Sequence, residues 1–167
     1  MAVDRVRFRD LLRCFASGVT VVTAGRGERV HGMTVSAFAS VSAEPPLVLI
    51  VIDRRAAIHE FLAEGGPAGP PAFAVNILAA DQEELSRRFA APPDVERFAA
   101  GSWSAAATGA PILTDALAWL DCTVVDRRRA GDHVIYVGRV ESGEVVRPEA
   151  GPLVYWDRGY RRLSSTD

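Results

Sequence analysis

Leu47-Val-Leu-Ile-Val-Ile52 places six aliphatic residues in a row between Pro45-Pro46 and Asp53. Four of the six are β-branched, which stiffens the side chains and favours an extended backbone. The run has strand length and is far too short to cross a membrane as a helix. A strand that is apolar at every position, rather than at alternate ones, calls for cover on both faces, as in the middle of a barrel or sandwich. The chain therefore has to build layers around this segment.

Similar extended patterns recur at Val19–Thr23, from about Arg29, at Phe73–Ile77, over roughly 117–126 and 133–141, and in a closing pair, Leu153–Trp156 and Tyr160–Leu163. Ala24-Gly-Arg-Gly27 and Arg127–Asp132 read as the turns between neighbours. Helical periodicity is confined to short pieces. Phe8, Leu11, Leu12 and Phe15 follow i, i+3, i+4, i+7, which predicts an amphipathic helix over 5–16. Asp53 reads as the cap of a short helix carrying Ile58, Phe61 and Leu62, and Asp81 with Glu84 as a capping box before Leu85 and Phe89. Residues 65–71 form a Gly/Pro loop, and 91–115 an irregular cover. Six to eight strands with three inserted helices, and no strict βαβ alternation, predict a mainly β protein: an antiparallel β-barrel with short helices, built as one domain over 1–167.

Composition removes several classes of function. The net charge is −2, so no global basic field recruits nucleic acid, and all nineteen cations are arginine. No continuous apolar segment marks a membrane span or signal peptide, which predicts a cytoplasmic protein. Cys14 and Cys122 lie far apart among apolar neighbours and are expected to be buried thiols rather than a disulfide or zinc site. The P-loop, Rossmann, GxSxG and HExxH patterns are all missing, and His31, His59 and His133 lack metal-ligand spacing, so no metal is expected. At 49% hydrophobic residues the chain is apolar for its size, which leans toward a subunit interface.

The most informative segment is His31–Pro46, HGMTVSAFASVSAEPP. Alternate residues Met33, Val35, Ala37, Ala39 and Val41 are apolar and mostly small, while Thr34, Ser36, Ser40 and Ser42 interleave hydroxyls around Phe38. By itself this is a strand with one wet face. Its wider setting changes the reading. Phe15-Ala-Ser-Gly-Val-Thr-Val-Val-Thr23, Gly32–Val48, Ala74–Leu78 with Leu85–Ala90, Gly131-Asp-His133, and Pro152–Tyr155 with Gly159-Tyr160 occur in one order along nearly the whole chain. In that order they resemble the short-chain flavin reductases, the FMN-binding split-barrel reductase components of two-component flavin-dependent monooxygenases.

The resemblance implies a six-stranded, antiparallel, Greek-key split barrel that transfers a hydride from NADH or NADPH to FMN or FAD. Reduced flavin then supplies a partner monooxygenase, and the protein works as a homodimer. It assigns the flavin to Gly32, Met33, Thr34, Val35, Ser36, Ala37, Ser40, Val41, Ser42, Asp53, Arg54, Arg88 and Phe89. Small residues suit the approach of a planar ring, and short hydroxyls suit its phosphate at low entropic cost. The nicotinamide falls to His133, as the orienting residue, with Arg9, Tyr155 and Tyr160. Asp53 as a simple cap, Arg9 and Arg87 as solvated cations, and the terminal aromatics as core or interface remain alternative readings. His59 reads as surface, and Arg127–Arg129 as a solvated hairpin tip. Two rival functions stay open: a split-barrel flavoprotein holding FMN tightly for another acceptor, and a non-catalytic flavin- or haem-binding barrel.

Overall fold

The computed structural model describes residues 2–62, 69–92 and 96–163. In chain order the elements are α1 (Arg5–Leu12), β1 (Ser17–Gly18), β2 (Thr20–Arg26), β3 (Arg29–Val35), β4 (Phe38–Ala43), β5 (Pro46–Asp53) and α2 (His59–Leu62). They continue with β6 (Ala72–Ile77), α3 (Glu83–Ala90), a 3-10 turn (Arg97–Ala99), β7 (Trp103–Ala105), β8 (Pro111–Leu113), β9 (Ala118–Ala130), β10 (His133–Val145), β11 (Leu153–Trp156) and β12 (Gly159–Arg162). Most of the 65–71 loop lies outside the described residues. Among those described, no helix is long and apolar enough to cross a membrane.

The main sheet is antiparallel throughout, in the order β3-β2-β6-β9-β10-β5-β4, which makes seven strands rather than six. It curls on itself: Val22, Val35, Ile50, Ile52, Val75, Cys122 and Tyr136 come from six different strands and meet in one buried cluster. The ladder stays open between β3 and β4 among the described residues, so the barrel is split there. A second cluster, including Val21, Leu85, Phe89 and Leu113, covers the outer face of β2. Two-sided burial therefore belongs to β2 and β6. In β5 only Val48, Ile50 and Ile52 are buried, while Leu47, Leu49 and Val51 are half-exposed on the outer face, contrary to expectation.

The His31–Pro46 segment is not one strand. Register puts Met33 opposite Val22 and Val35 opposite Thr20, facing the barrel interior, whereas Ala39 pairs with Leu49 on the outside. The corner at Ser36-Ala37 reverses the faces, because cross-strand partners share a side of the sheet. Phe38, out of series in the sequence, pairs with Ile50 and packs on the core. Val41 is skipped in the register between Ser40 and Ser42, a bulge that leaves it exposed.

Three local expectations are corrected. Helix α1 is amphipathic as predicted, but it ends at Leu12, and Phe8, Leu11, Leu12 and Phe15 are all exposed. Cys14, just beyond it, is consequently exposed too; Cys122 is buried as expected. No capping box opens α3. Asp81 reaches Arg147 (2.7 Å), a full charge that outcompetes a backbone N–H, and Gln82 precedes the helix while its side chain bonds Ala79 N and Asp115 O. Asp53 does not cap α2, which begins six residues later; its carboxylate accepts from Arg55 N (2.9 Å) and closes the turn after β5.

Candidate functional site

An open groove of about 690 Å³ runs between α1, the Ser36-Ala37 corner, the outer face of β5 and the β11–β12 hairpin. Its floor is small and apolar: Ala37, Ala39, Leu49 and Val51, with Val51 N–H donating to Ala37 O (3.0 Å). Phe8, Leu12 and Phe15 form one wall, Tyr155 and Trp156 the other, and Ser17 and Ser36 bring hydroxyls. Arg9, Arg13, Asp157 and Arg158 occupy the rim. Arg13 ties the wall of α1 to the hairpin through Asp157 (2.8 Å) and also reaches Asp10 (3.0 Å). Two residues with φ of 46° and 61°, Asp157 and Arg158, make that hairpin turn.

His133 extends the same face. It pairs with Asp53, two positions beyond the Ile135–Val51 pair, which is about 7 Å further along the sheet. Its Nδ1 lies 2.7 Å from Asp132 Oδ1. A carboxylate only accepts, so Nδ1 carries the hydrogen and Nε2 is left as the acceptor of the neutral ring. The same contact holds the Asp132 carboxyl below its ordinary range. Asp53 is held lower still by the Arg55 guanidinium (2.7 Å) and by Arg55 N–H.

Of the residues expected to form the site, Arg9, Ser36, Ala37 and Tyr155 line the groove, and Asp53 and His133 share its face. The others are used elsewhere. Met33 and Val35 pack in the barrel core. Thr34 Oγ1 donates to Ser86 O (2.6 Å) and ties β3 to α3. Gly32 is needed for packing, since a Cβ there would stand 2.6 Å from the Phe89 ring, and Phe89 itself is buried core. Arg88 donates to Glu96 O (3.2 Å). Arg54 is exposed in the turn after β5 and lines a different cavity. Ser40 and Ser42 lie beyond the groove, where Ser42 Oγ accepts from Glu44 N (3.2 Å). Tyr160 backs the wall instead of lining it: its hydroxyl meets Ser86 Oγ (2.8 Å) and its ring meets Tyr155 edge-on.

His31 is set apart from the groove. It pairs with Ala24 on the inner face, against Phe61 and Arg97. His59, expected at the surface, is half-buried between Tyr136 OH (2.7 Å) and Asp53 O (2.8 Å). Sequence reasoning missed Phe8, Leu12, Phe15, Leu49 and Val51 as groove residues. Their apolar spacing was visible, but an apolar stripe by itself does not distinguish a wall from a core.

The flavin reductase like domain profile matches residues 12–164. The chain belongs to this family. It is 42% identical to the NADH-dependent flavin reductase of a Rhodococcus species, over 96% of this chain and 88% of that one. It is equally identical to the reductase component of 4-hydroxyphenylacetate 3-monooxygenase from Thermus thermophilus, over 93% and 95%. Among solved structures, the NADH:FAD oxidoreductase of Streptomyces globisporus superposes with a TM-score of 0.87 at 36% identity, covering 99% of this chain and 98% of that one. A second structure of that oxidoreductase, in complex with NAD and FAD fragments, superposes at 0.86 with 36% identity, over 98% of this chain and 97% of that one. As a flavin reductase-like protein, the chain is an oxidoreductase on a mainly β scaffold.

Proposed function

We propose that this chain reduces FMN or FAD at the expense of NADH, with NADPH as the less favoured donor, and releases reduced flavin to a partner monooxygenase. The observation that carries this reading is one shared face: the small apolar floor of Ala37, Ala39, Leu49 and Val51, with His133 beyond it. A groove of this volume and lining suits a ring system the size of an isoalloxazine. Flavin is a substrate here, consistent with the open groove.

Hydride passes from nicotinamide C4 to flavin N5, a step supplied by the two small molecules. The protein binds, orients and excludes water. Ala37 and Ala39 let a flat ring approach, Ser17 and Ser36 offer hydroxyls to its polar edge, and Tyr155 offers a stacking face. Arg9 and Arg158 make the rim favourable for phosphates. In the neutral ring oriented by Asp132, Nε2 of His133 has the polarity to take an N–H of the nicotinamide carboxamide.

In this reading the enzyme is a cytoplasmic, single-domain homodimer. Phe8, Leu11 and Leu12 on one face of α1, with Phe15 just beyond the helix, are exposed apolar side chains. A second copy is the proposed cover, and sedimentation analysis should show a dimer.

The test follows NADH by its near-ultraviolet absorbance with riboflavin, FMN or FAD added. NADH should disappear only with flavin present; no flavin-dependent use of either NADH or NADPH refutes the reading. His133→Ala should raise KM for NADH about tenfold, the loss of one useful hydrogen bond, and leave flavin KM within about twofold. Equal losses for both substrates would make His133 a structural residue.

A further inference from the structure

Tyr155 is 38% exposed on the groove wall, so a fixed orientation of its ring has to come from a neighbour. Tyr160 is that neighbour. The two tyrosines are direct cross-strand partners on β11 and β12, so their side chains share one face. Their rings meet edge-on, at a centroid distance of 5.3 Å and an interplanar angle of 71°.

Tyr160 is in turn held by α3 from two directions. Its hydroxyl lies 2.8 Å from Ser86 Oγ, and the Arg87 guanidinium sits over its ring at 4.8 Å from the centroid. Arg87 is itself anchored one turn back on Glu83 (2.6 Å). Ser86 is fully buried, and its carbonyl accepts from Thr34 Oγ1 (2.6 Å) on β3, two residues before Ser36 at the groove corner. Ser86 thus connects the strand that enters the groove corner with the ring that backs the groove wall.

Packing alone does not call for this polar pair. Alanine is the better helix former at 86, and replacing both members of a buried hydrogen bond by apolar groups of the same shape is close to neutral for stability. What the bond adds is direction. It fixes the far end of the Tyr160 ring, and the edge-on contact passes that constraint to Tyr155. A ring ordered before its ligand arrives loses less freedom on binding. We propose that Ser86 and Tyr160 are positioning residues that hold Tyr155 ready to stack on the flavin ring, with Tyr160 itself touching neither flavin nor nicotinamide. This role rests on the groove being the flavin site, and it replaces the nicotinamide contact that the family resemblance implies for Tyr160.

Riboflavin carries the ring without a phosphate, and titrating it against the full chain by its fluorescence gives Kd, with Tm read on the same samples. Tyr155→Ala should weaken riboflavin binding about tenfold, the loss of one aromatic pair, and Tyr160→Phe about threefold. Adding Tyr160→Phe to Tyr155→Ala should weaken it no further, because the effect passes through the Tyr155 ring. Ser86→Ala/Tyr160→Phe should keep Tm within about 2 °C of the parent and still bind riboflavin about threefold more weakly. KM for NADH should stay within about twofold in Tyr160→Phe. Additive losses in the Tyr155→Ala background, or affinity that recovers together with Tm in the Ser86→Ala/Tyr160→Phe variant, overturn the inference. So does a rise in NADH KM that exceeds the change in riboflavin Kd, which returns Tyr160 to the nicotinamide. Unchanged riboflavin affinity in Tyr160→Phe, with a parent that binds riboflavin, overturns the positioning role alone. A parent that binds no riboflavin overturns it together with the flavin site.

Discussion

Gly32→Ala separates two roles for the glycine at the head of the family's flavin segment: room for a bound ring, or room for the protein's own Phe89. A Cβ at 32 would lie 2.6 Å from Phe89 Cε1, 3.0 Å from its Cδ1 and 3.2 Å from Thr23 Cγ2. The Phe89 ring has nowhere to retreat, since it is 1% exposed and boxed by Phe98 and Trp103 at centroid distances of 5.3 and 5.4 Å. Overpacking of this kind costs roughly 2–3 kcal/mol, and the smaller unfolded-state entropy of alanine returns roughly 0.4–1. The net loss of about 1–2.5 kcal/mol corresponds to a Tm lowered by about 2–10 °C for a chain of this size. Thermal unfolding by circular dichroism measures the shift, and the flavin titration assay measures KM on the same sample. Phe89→Leu, combined with Gly32→Ala, should recover part of the loss by opening the ring's space. An unchanged Tm with a sharply raised flavin KM would refute the packing argument and return Gly32 to the ring.

Two further perturbations probe titratable groups. Burial, with help from the Arg97 charge, holds the His31 imidazole below its ordinary value of 6.5, so the unfolded chain takes up the proton more readily. Stability should therefore rise with pH between the depressed folded value and 6.5, and His31→Gln should flatten that part of a Tm–pH curve. Burial pushes the Cys122 thiol up to about 12, whereas Cys14 is exposed, so a disulfide reagent near pH 8 should titrate one thiol per native chain and two after unfolding. Two fast thiols in the native protein would contradict the burial of Cys122.

How far the sequence could be read depended on the range of each interaction. Hairpins closed by local turns were legible: β2–β3, β9–β10 and β11–β12 all form where strand patterns flank short connections. The Asp81 cap failed because its carboxylate answers Arg147, sixty-six residues away. A smaller part of the candidate site, Arg9, Ser36, Ala37 and Tyr155 in the groove with Asp53 and His133 beyond it, was legible by motif, and the structure then divided the motif. Ser36 and Ala37 reach the groove, while Thr34 is spent on Ser86 and Gly32 on Phe89. Alternation in a sequence specifies opposite faces only while the strand continues, and here it stops at residue 36.

Local chemistry supplies the inventory: β-branched runs that must extend, prolines and glycines that must turn, and a motif order that resembles the flavin reductases. Those follow from local sterics and from pattern, which need no partner in space. Which face each residue serves depends instead on contacts between distant segments. The apolar stripe of α1 became a groove wall and an uncovered surface rather than core, whereas Arg127–Arg129 stay exposed in the β9–β10 hairpin as expected. For α1 the deciding factor is where the helix packs; for the strands it is cross-strand register, which is set by long-range pairing and fixes side chains on opposite sides of a sheet with every one-residue step.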